Sequence, residues 1–364
     1  MNSFQKILLI SLITLIIGCD QVITNSGNEN QEPGPEEEQD WLIPEDEIFI
    51  AFAGIPSIDN PKFKPTSETE YVDDDRLIIG VRVGDTIKGY PHQVMDYHEV
   101  VNDKIGDLPY SMTYCPLTGT GIAWERTIDG DPVEFGVSGM LFRNNLIAYD
   151  RKTDTNYSQM QMRAVNGPRK GEQLETLQVI QTKWSTWKKM FPEAQVLTTQ
   201  TGYQRNYGGY AYGEDYLDLN TPPPFPLELT DEKTSLGYKK RLYGILSGDF
   251  DNETVGTVGR ELFIIDNLGE GINLQEAKLR ETTYIVAGSS DQDFVVAFEK
   301  SSDKTFSAVQ NSLPIIMEDQ DGNRWDVFGY AVEGPRKGER LTPANAYYGY
   351  AFAWFDFFRN SDGF

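Results

Sequence analysis

The sequence reads Ala-Val-Asn-Gly-Pro-Arg-Lys-Gly-Glu-Gln-Leu at residues 164–174 and Ala-Val-Glu-Gly-Pro-Arg-Lys-Gly-Glu-Arg-Leu at residues 331–341. The register then continues without a gap, so that Trp187 falls on Trp354. Self-similarity of this kind indicates an internal repeat, in which each copy is one structural unit. We therefore predict that the chain contains two copies of a single unit.

The predicted repeat divides the folded part of the chain into three. We expect a first repeat at 41–201, a connector rich in Tyr, Gly and Pro at 202–239, and a second repeat at 240–364. The second repeat has no histidine and no cysteine. We therefore expect it to be a degenerate copy that completes the core and does not share the polar chemistry of the first.

Within each copy, apolar stretches are separated by turn residues, which is typical of β-strands. Gly-Pro-Arg-Lys-Gly supplies dihedral angles suited to turns. The predicted fold class is mostly β (α+β), with two related β-rich repeats packed together and a few short helices. The predicted strands include 77–83, 110–114, 121–126 and 283–287, and the predicted helices are 92–102 and 183–190.

The N-terminus has the pattern of an exported bacterial lipoprotein. Lys6 precedes an apolar run at 7–17, which is shorter than the ~20 residues that a membrane-spanning helix needs. Gly18-Cys19 then resembles a lipobox, so we predict a signal peptide at 1–18 and lipidation of Cys19. The acidic, polar segment 19–40 has no apolar face and should be a disordered tether. The predicted location is the cell envelope, with the lipid bilayer as a partner.

The net charge and the number of cysteines limit which other partners and cross-links we expect. The formal net charge is -24, so phosphate repulsion argues against nucleic acid. The chain has two cysteines, and lipidation of Cys19 leaves Cys115 without a partner for an internal disulfide.

The candidate chemistry lies in the first repeat. Both histidines, His92 and His98, fall close to Cys115 in the sequence. Thiolate and imidazole are ligands for transition metals, and they also form nucleophile–base pairs. Cys115 and His98 are therefore candidates for binding copper or zinc, or for catalysis through the thiol. We expect His92 to lie on the surface.

Several motifs resemble the bacterial domain of unknown function 3179 family. They are 98–103 (His-Glu-Val-Val-Asn-Asp), 113–117 (Thr-Tyr-Cys-Pro-Leu), 135–139 (Phe-Gly-Val-Ser-Gly), 145–151 (Asn-Leu-Ile-Ala-Tyr-Asp-Arg), 157–159 (Tyr-Ser-Gln), Gly167-Pro168 and Trp187. The resemblance implies no established activity. Beside His98 and Cys115, it marks as possible binding positions Glu99, Asn102, Asp103, Ser138, Asn145, Asp150, Arg151, Ser158 and Gln159.

The sequence departs from the family pattern at two positions. Many members have a second cysteine where this chain has Thr118, so disulfide cycling within a Cys-x-x-Cys motif is not available here. Tyr157 stands where the family often has tryptophan.

Two hypotheses of different classes follow. The first is a pocket in the first repeat, built on Cys115 and His98, that binds a transition metal or uses the thiol. The alternative is a non-enzymatic envelope module that binds glycan, peptide or protein through an aromatic surface. The tyrosines of the connector suit that surface, although they could equally be packed within a loop: Tyr203, Tyr207, Tyr210, Tyr212 and Tyr216.

Overall fold

The structure is a computed structural model that describes residues 41–51, 54–229, 235–248, 250 and 258–359. The predicted signal peptide, the tether and Cys19 lie outside the described residues. The described part forms one compact unit. It is mostly β, as the sequence predicts, and its helices are short.

Three sheets contain the strands that precede the connector. The strands of the first sheet are, in order, β1 (Ile48–Ile50), β10 (Phe135–Phe142), β11 (Asn145–Asp150), β12 (Asn156–Ser158) and β13 (Arg163–Asn166). Those of the second sheet are β14 (Thr176–Leu177), β7 (Thr120–Glu125), β6 (Leu108–Cys115) and β5 (Val100–Ile105). Those of the third sheet are β15 (Val179–Lys183), β3 (Leu77–Val83), β4 (Thr86–Pro91), β16 (Gln195–Leu197) and β2 (Phe63–Pro65). Pairing is antiparallel except between β16 and β4. A short hairpin joins β8 (Thr127–Ile128) to β9 (Asp131–Pro132).

Three further sheets contain the strands that follow the connector. The strands of the first are, in order, β18 (Gly259–Ile264), β17 (Arg241–Ser247) and β26 (Ala346–Tyr350). Those of the second are β19 (Asn273–Leu279), β20 (Thr282–Ser289) and β21 (Phe294–Glu299). Those of the third are β22 (Phe306–Ala308), β23 (Ile315–Asp319), β24 (Arg324–Asp326) and β25 (Ala331–Glu333). The α-helices of the described residues are α1 (His92–Met95), α2 (Trp184–Met190) and α3 (Ala351–Phe357).

The order of strand pairing is similar on the two sides of the connector. The order β15-β3-β4 before the connector corresponds to β26-β17-β18 after it. In the same way, β5-β6-β7 corresponds to β19-β20-β21, and the run from β10 to β13 corresponds to the run from β22 to β25. The helices α2 and α3 directly follow the corresponding strands β15 and β26. That the chain contains two copies of one structural unit remains a prediction, and the matching strand orders support it.

The repeated stretches 164–174 and 331–341 begin in corresponding strands, β13 and β25. Each of these strands is the last of a run of four. The Gly-Pro-Arg-Lys-Gly segments that follow are turns, as predicted. Gly167 and Gly171 have φ angles of 95° and 97°, and Gly334 and Gly338 have 98° and 96°. Glycine is favoured there because a Cβ atom makes this region of φ costly for other residues.

One helix differs from the sequence prediction. The segment 92–102 was expected to be helical, but α1 ends at Met95 and β5 begins at Val100. Glu99, between them, has a φ of 57°, which reverses the chain. The β-branched pair Val100 and Val101 then enters a buried strand, where such side chains pack well. The helix predicted at 183–190 is confirmed as α2.

The hydrophobic core runs across both sides of the connector. One cluster joins Trp124 and Phe135 with Phe352 and Trp354, and another joins Trp187 with residues of the later sheets. No helix in the described part of the chain is both long and apolar enough to span a membrane.

Candidate functional site

His98 follows α1 and is fully buried. Its Nδ1 atom lies 2.7 Å from the carbonyl oxygen of Pro56, and its Nε2 atom lies 2.7 Å from the hydroxyl of Tyr207. Burial lowers the pKa of His98, and Arg205 lowers it further, although the bond to Pro56 opposes the shift. Both ring nitrogens are therefore engaged, one with the segment around Pro56 and the other with the connector.

Cys115 ends β6 and is also buried. Its Sγ atom lies 3.6 Å from the carbonyl oxygen of Asn144. Burial raises the pKa of the Cys115 thiol to about 11, and the charge of Glu99 contributes to the rise. A thiol activated by His98 should have a lowered pKa. The structure thus argues against the expected nucleophile–base pair, because His98 is occupied elsewhere and the thiol is desolvated.

The structure does not assemble the metal site proposed from the sequence. Among the described residues, no three His, Cys, Asp or Glu side chains are grouped so as to hold a metal ion. The His98 nitrogens that would bind copper or zinc already face Pro56 and Tyr207.

Glu99 is buried beside Cys115 and accepts a hydrogen bond of 3.0 Å from the hydroxyl of Tyr212. Burial raises the pKa of Glu99 to about 7, and the Tyr212 bond limits the rise. Glu99 therefore changes charge near neutral pH inside the first repeat.

Asn102 and Asp103 belong to networks that join strands. The Nδ2 group of Asn102 donates to Phe135 O at 2.8 Å and to Asp59, and its Oδ1 accepts from the Ser111 hydroxyl at 2.7 Å. Asp103 accepts hydrogen bonds from Lys88 at 2.8 Å and from two tyrosine hydroxyls, those of Tyr90 and Tyr110.

Asn145 and Gln159 pair with each other in the core, at 2.8 Å. The Asn145 amide also donates to Thr118 Oγ1 at 3.0 Å, and the Gln159 amide donates to Thr113 Oγ1 at 2.9 Å. Thr118, where the family often has cysteine, is therefore part of a satisfied polar network. Such networks favour a single arrangement of the core.

The remaining marked residues differ in their contacts. Asp150 accepts from the Thr153 amide at 2.6 Å and stabilises the turn after β11. Arg151 forms ion pairs with Asp59 and Glu134 at 2.7 and 2.8 Å. Ser138 donates to a main-chain carbonyl in β11, whereas the buried hydroxyl of Ser158 lacks a partner within the described residues.

The connector tyrosines pack mainly against the first repeat. Tyr210 donates to Pro116 O at 2.9 Å, and Tyr216 donates to Leu117 O at 2.7 Å. Both rings are buried, and Tyr203 is the exposed one of the five predicted tyrosines. The connector thus covers the loop after Cys115, which corresponds to the loop-packing alternative.

A polar cavity of about 420 Å³ lies between α1, the connector and the end of β26. We call it the His92 pocket, and its lining includes His92, Asp96, Tyr114, Tyr210, Glu214 and Tyr350. The expectation that His92 lies on the surface is wrong, because the residue is only 8% exposed and its ring packs 4.3 Å from that of Tyr114. The one-turn helix α1 turns His92 inward and places Asp96 after it.

Two residues that line this pocket each carry a buried polar atom with no hydrogen-bond partner within the described residues. The atoms are Nε2 of His92 and Oδ1 of Asp96. A buried polar atom without a partner costs roughly 1–3 kcal/mol. Exceptions of this kind in native proteins call for an explanation, and two in residues that line one cavity indicate a place for a ligand or bound water.

The electrostatics keep the imidazole of the pocket neutral. Burial moves the pKa of His92 well below its usual value, and the nearby Arg241 lowers it further. Burial raises the pKa of Asp96 well above its usual value; Arg76 opposes this rise, whereas Glu99 and Glu214 add to it. Perturbed groups in a cleft are typical of functional sites.

The part of the chain that follows the connector, which was expected to complete the core, also contributes to this pocket. Tyr350 lines the cavity from the end of β26, and Arg241 of β17 acts on His92. Sequence reasoning missed both, because neither lies near the histidines in the sequence. The clustering of His92 with Asp96, four residues later, was the available signal.

A second cavity, of about 400 Å³, is lined by Arg82 and Arg340, whose guanidinium carbons lie 4.0 and 4.9 Å from the ring centroid of Tyr330. Arg82 pairs with Asp326, and Arg340 donates to Gln178 Oε1 at 2.8 Å. Its arginines are thus held by protein groups, and this cavity is a weaker candidate than the His92 pocket.

The fold and the site together define a mostly β protein with a polar pocket and a buried, unactivated thiol. The chain belongs to the family described as "Protein of unknown function (DUF3179)", whose model matches residues 53–361. This confirms the resemblance found in the sequence motifs. Neither the curated proteins nor the solved structures give a match to the chain.

Proposed function

We propose that this protein is a lipid-anchored module of the cell envelope that binds a small polar ligand in the His92 pocket. The observation that supports the binding function is that two residues lining one cavity, His92 and Asp96, each carry a buried polar atom without a partner among the described residues. A ligand that supplies a hydrogen bond to each would recover the free energy lost by burying them.

The location of this binding module rests on the sequence. The apolar run at 7–17 followed by Gly18-Cys19 supports export and acylation of Cys19. Two or more acyl chains on one cysteine give stable membrane attachment.

The test of anchoring uses the second cysteine as its control. Cells that express the full chain are grown with radiolabelled palmitate and fractionated. Wild type and Cys115→Ser should carry label and sediment with membranes, whereas Cys19→Ser should lose both properties. Label retained by Cys19→Ser would contradict the anchor.

Binding is tested on the full chain purified in detergent without added ligand. The protein is denatured, and small molecules released from it are identified by mass spectrometry. A molecule released in stoichiometric amount from wild type should be absent from Asp96→Asn and present in Asp107→Asn, whose side chain is exposed on a distant turn. Equal release from all three proteins would place any ligand outside the pocket.

A further inference from the structure

We infer that the ligand of the His92 pocket is a small organic cation that carries an ammonium group. This inference rests on the proposed binding function and specifies its ligand. It follows from the charge, the aromatic lining and the protonation state of the groups that meet in the cavity.

The carboxyl groups that line the pocket outnumber its cations. Asp73, Asp75, Asp96 and Glu214 supply carboxyl groups, and Arg76 supplies a guanidinium group. The protein as a whole carries a formal charge of -24. A cleft lined mostly by charges of one sign concentrates ligands of the opposite sign. Anionic ligands are therefore disfavoured, and Asp96 is the buried carboxyl whose free oxygen a cation would meet.

The aromatic lining fits an ammonium group as well. Tyr114, Tyr210 and Tyr350 line the cavity, and the face of an aromatic ring attracts a cation within about 6 Å of its centroid. The connector already uses this interaction beside the pocket. The Lys239 ammonium lies 3.5 Å from the ring centroid of Tyr216, which stacks on Tyr210.

His92 is compatible with such a ligand because it is uncharged. Its lowered pKa keeps the imidazole neutral at physiological pH, so a ring nitrogen is able to accept a hydrogen bond from an ammonium N–H. A charged imidazole would repel the cation. Burial and Arg241 thus produce the protonation state that this ligand requires.

Binding of a cation should be linked to a proton at Asp96. The groups that act on this carboxyl are Arg76, Glu99 and Glu214, besides its burial. Because the pKa of Asp96 is raised in the free protein, a cation that favours the carboxylate should lower it. Affinity should therefore fall as the pH is lowered through the range in which Asp96 takes up its proton.

The experiment is calorimetry on the full chain in detergent with four probes. Ethanolamine and putrescine (1,4-diaminobutane), which both carry ammonium N–H groups, are the ammonium probes, glucose is the neutral probe and succinate is the anionic probe. At least one ammonium probe should bind, with affinity reduced tenfold or more in Asp96→Asn and unchanged in Asp107→Asn. Tyr350→Leu should weaken binding, and Tyr350→Phe, which keeps the ring, should restore it. Melting curves of each variant verify the fold.

The outcomes separate this inference from the proposed function. If only glucose or succinate binds, and Asp96→Asn abolishes that binding, the inference that the ligand is a cation is overturned. The proposal that the pocket binds a small polar ligand would then stand. Binding of a cation that Asp96→Asn and His92→Phe leave unchanged would place the cation outside the pocket and overturn this inference. Absence of binding by both ammonium probes would also overturn the inference, whereas the mass-spectrometric test would still decide the proposed function.

Discussion

Glu99 shows how one residue links burial to pH dependence. Burial raises the pKa of its carboxyl to about 7 from its usual value of 4.5. The folded protein therefore binds this proton more tightly than the unfolded chain does. Its contribution to stability is fully present below pH 4.5 and is lost as the pH rises to about 7.

Glu99→Gln should remove this pH dependence. The unfolding free energy of wild type relative to Glu99→Gln should fall by roughly 3 kcal/mol between pH 4.5 and pH 7, at about 1.4 kcal/mol per pKa unit. Urea titrations across this range measure the difference. The exposed control Glu193→Gln should run parallel to wild type, and a parallel course for Glu99→Gln would contradict the buried position.

Cys115 should be unreactive in the folded protein. With a pKa of about 11, only about three in ten thousand thiols are ionised at pH 7.5, and the thiolate is the reactive form. In Cys19→Ser, where Cys115 is the remaining cysteine, iodoacetamide should not label the native protein within an hour. Labelling should be complete in urea, as followed by intact mass. Rapid native labelling would restore the thiol hypothesis.

The residues of the site were only partly predictable from the sequence. The motifs marked Asn102, Asn145 and Gln159 as possible binding positions, and in the structure each of them hydrogen-bonds to protein groups. They could not reveal that these residues pair with protein groups, whereas Nε2 of His92 finds no partner in the part of the chain that the structure describes. Partner choice depends on strands distant in the sequence, which local patterns do not encode.

At the scale of elements, Trp187 and Trp354 occupy corresponding positions, in the helices that follow β15 and β26. Each packs on a glycine of the strand that pairs with the strand before its helix. A Cβ atom on Gly80 would lie 2.3 Å from Trp187 Cζ3, and one on Gly244 would lie 2.4 Å from Trp354 Cη2. These contacts hold α2 and α3 against their sheets. The aligned tryptophans were visible in the sequence, but the glycines they need were not, because the contact forms across strands.

Gly244→Ala should destabilise the protein because Trp354 has no room to move in the core. Overpacking of this kind typically costs 1–3 kcal/mol, which should lower the melting temperature by several degrees. Gly208→Ala is the control, since its Cβ would lie 3.5 Å from a flexible Asn206 side chain. Equal melting temperatures for the two variants would contradict the close packing.

At the scale of the whole molecule, alternation of apolar residues and turn chemistry were sufficient to predict a mostly β fold. They were not sufficient to predict how the parts share a core, because burial depends on contacts between distant segments. Trp124 and Trp354, on opposite sides of the connector, belong to one buried cluster. The His92 pocket likewise needs Tyr350 from the later part of the chain.

This sharing predicts that neither side of the connector folds alone. Fragments 41–239 and 240–364, each expressed separately, would expose large apolar side chains such as Phe135 and Phe352 that lie in the common cluster. Each fragment should therefore be insoluble or should lack a cooperative melting transition, because it loses much of the apolar burial that stabilises the fold. Co-expression should yield a soluble complex that melts in one transition and releases the same ligand as the intact chain. A cooperative transition for 41–239 alone would show instead that the first repeat has a sufficient core of its own, and the ligand should then be lost with Tyr350.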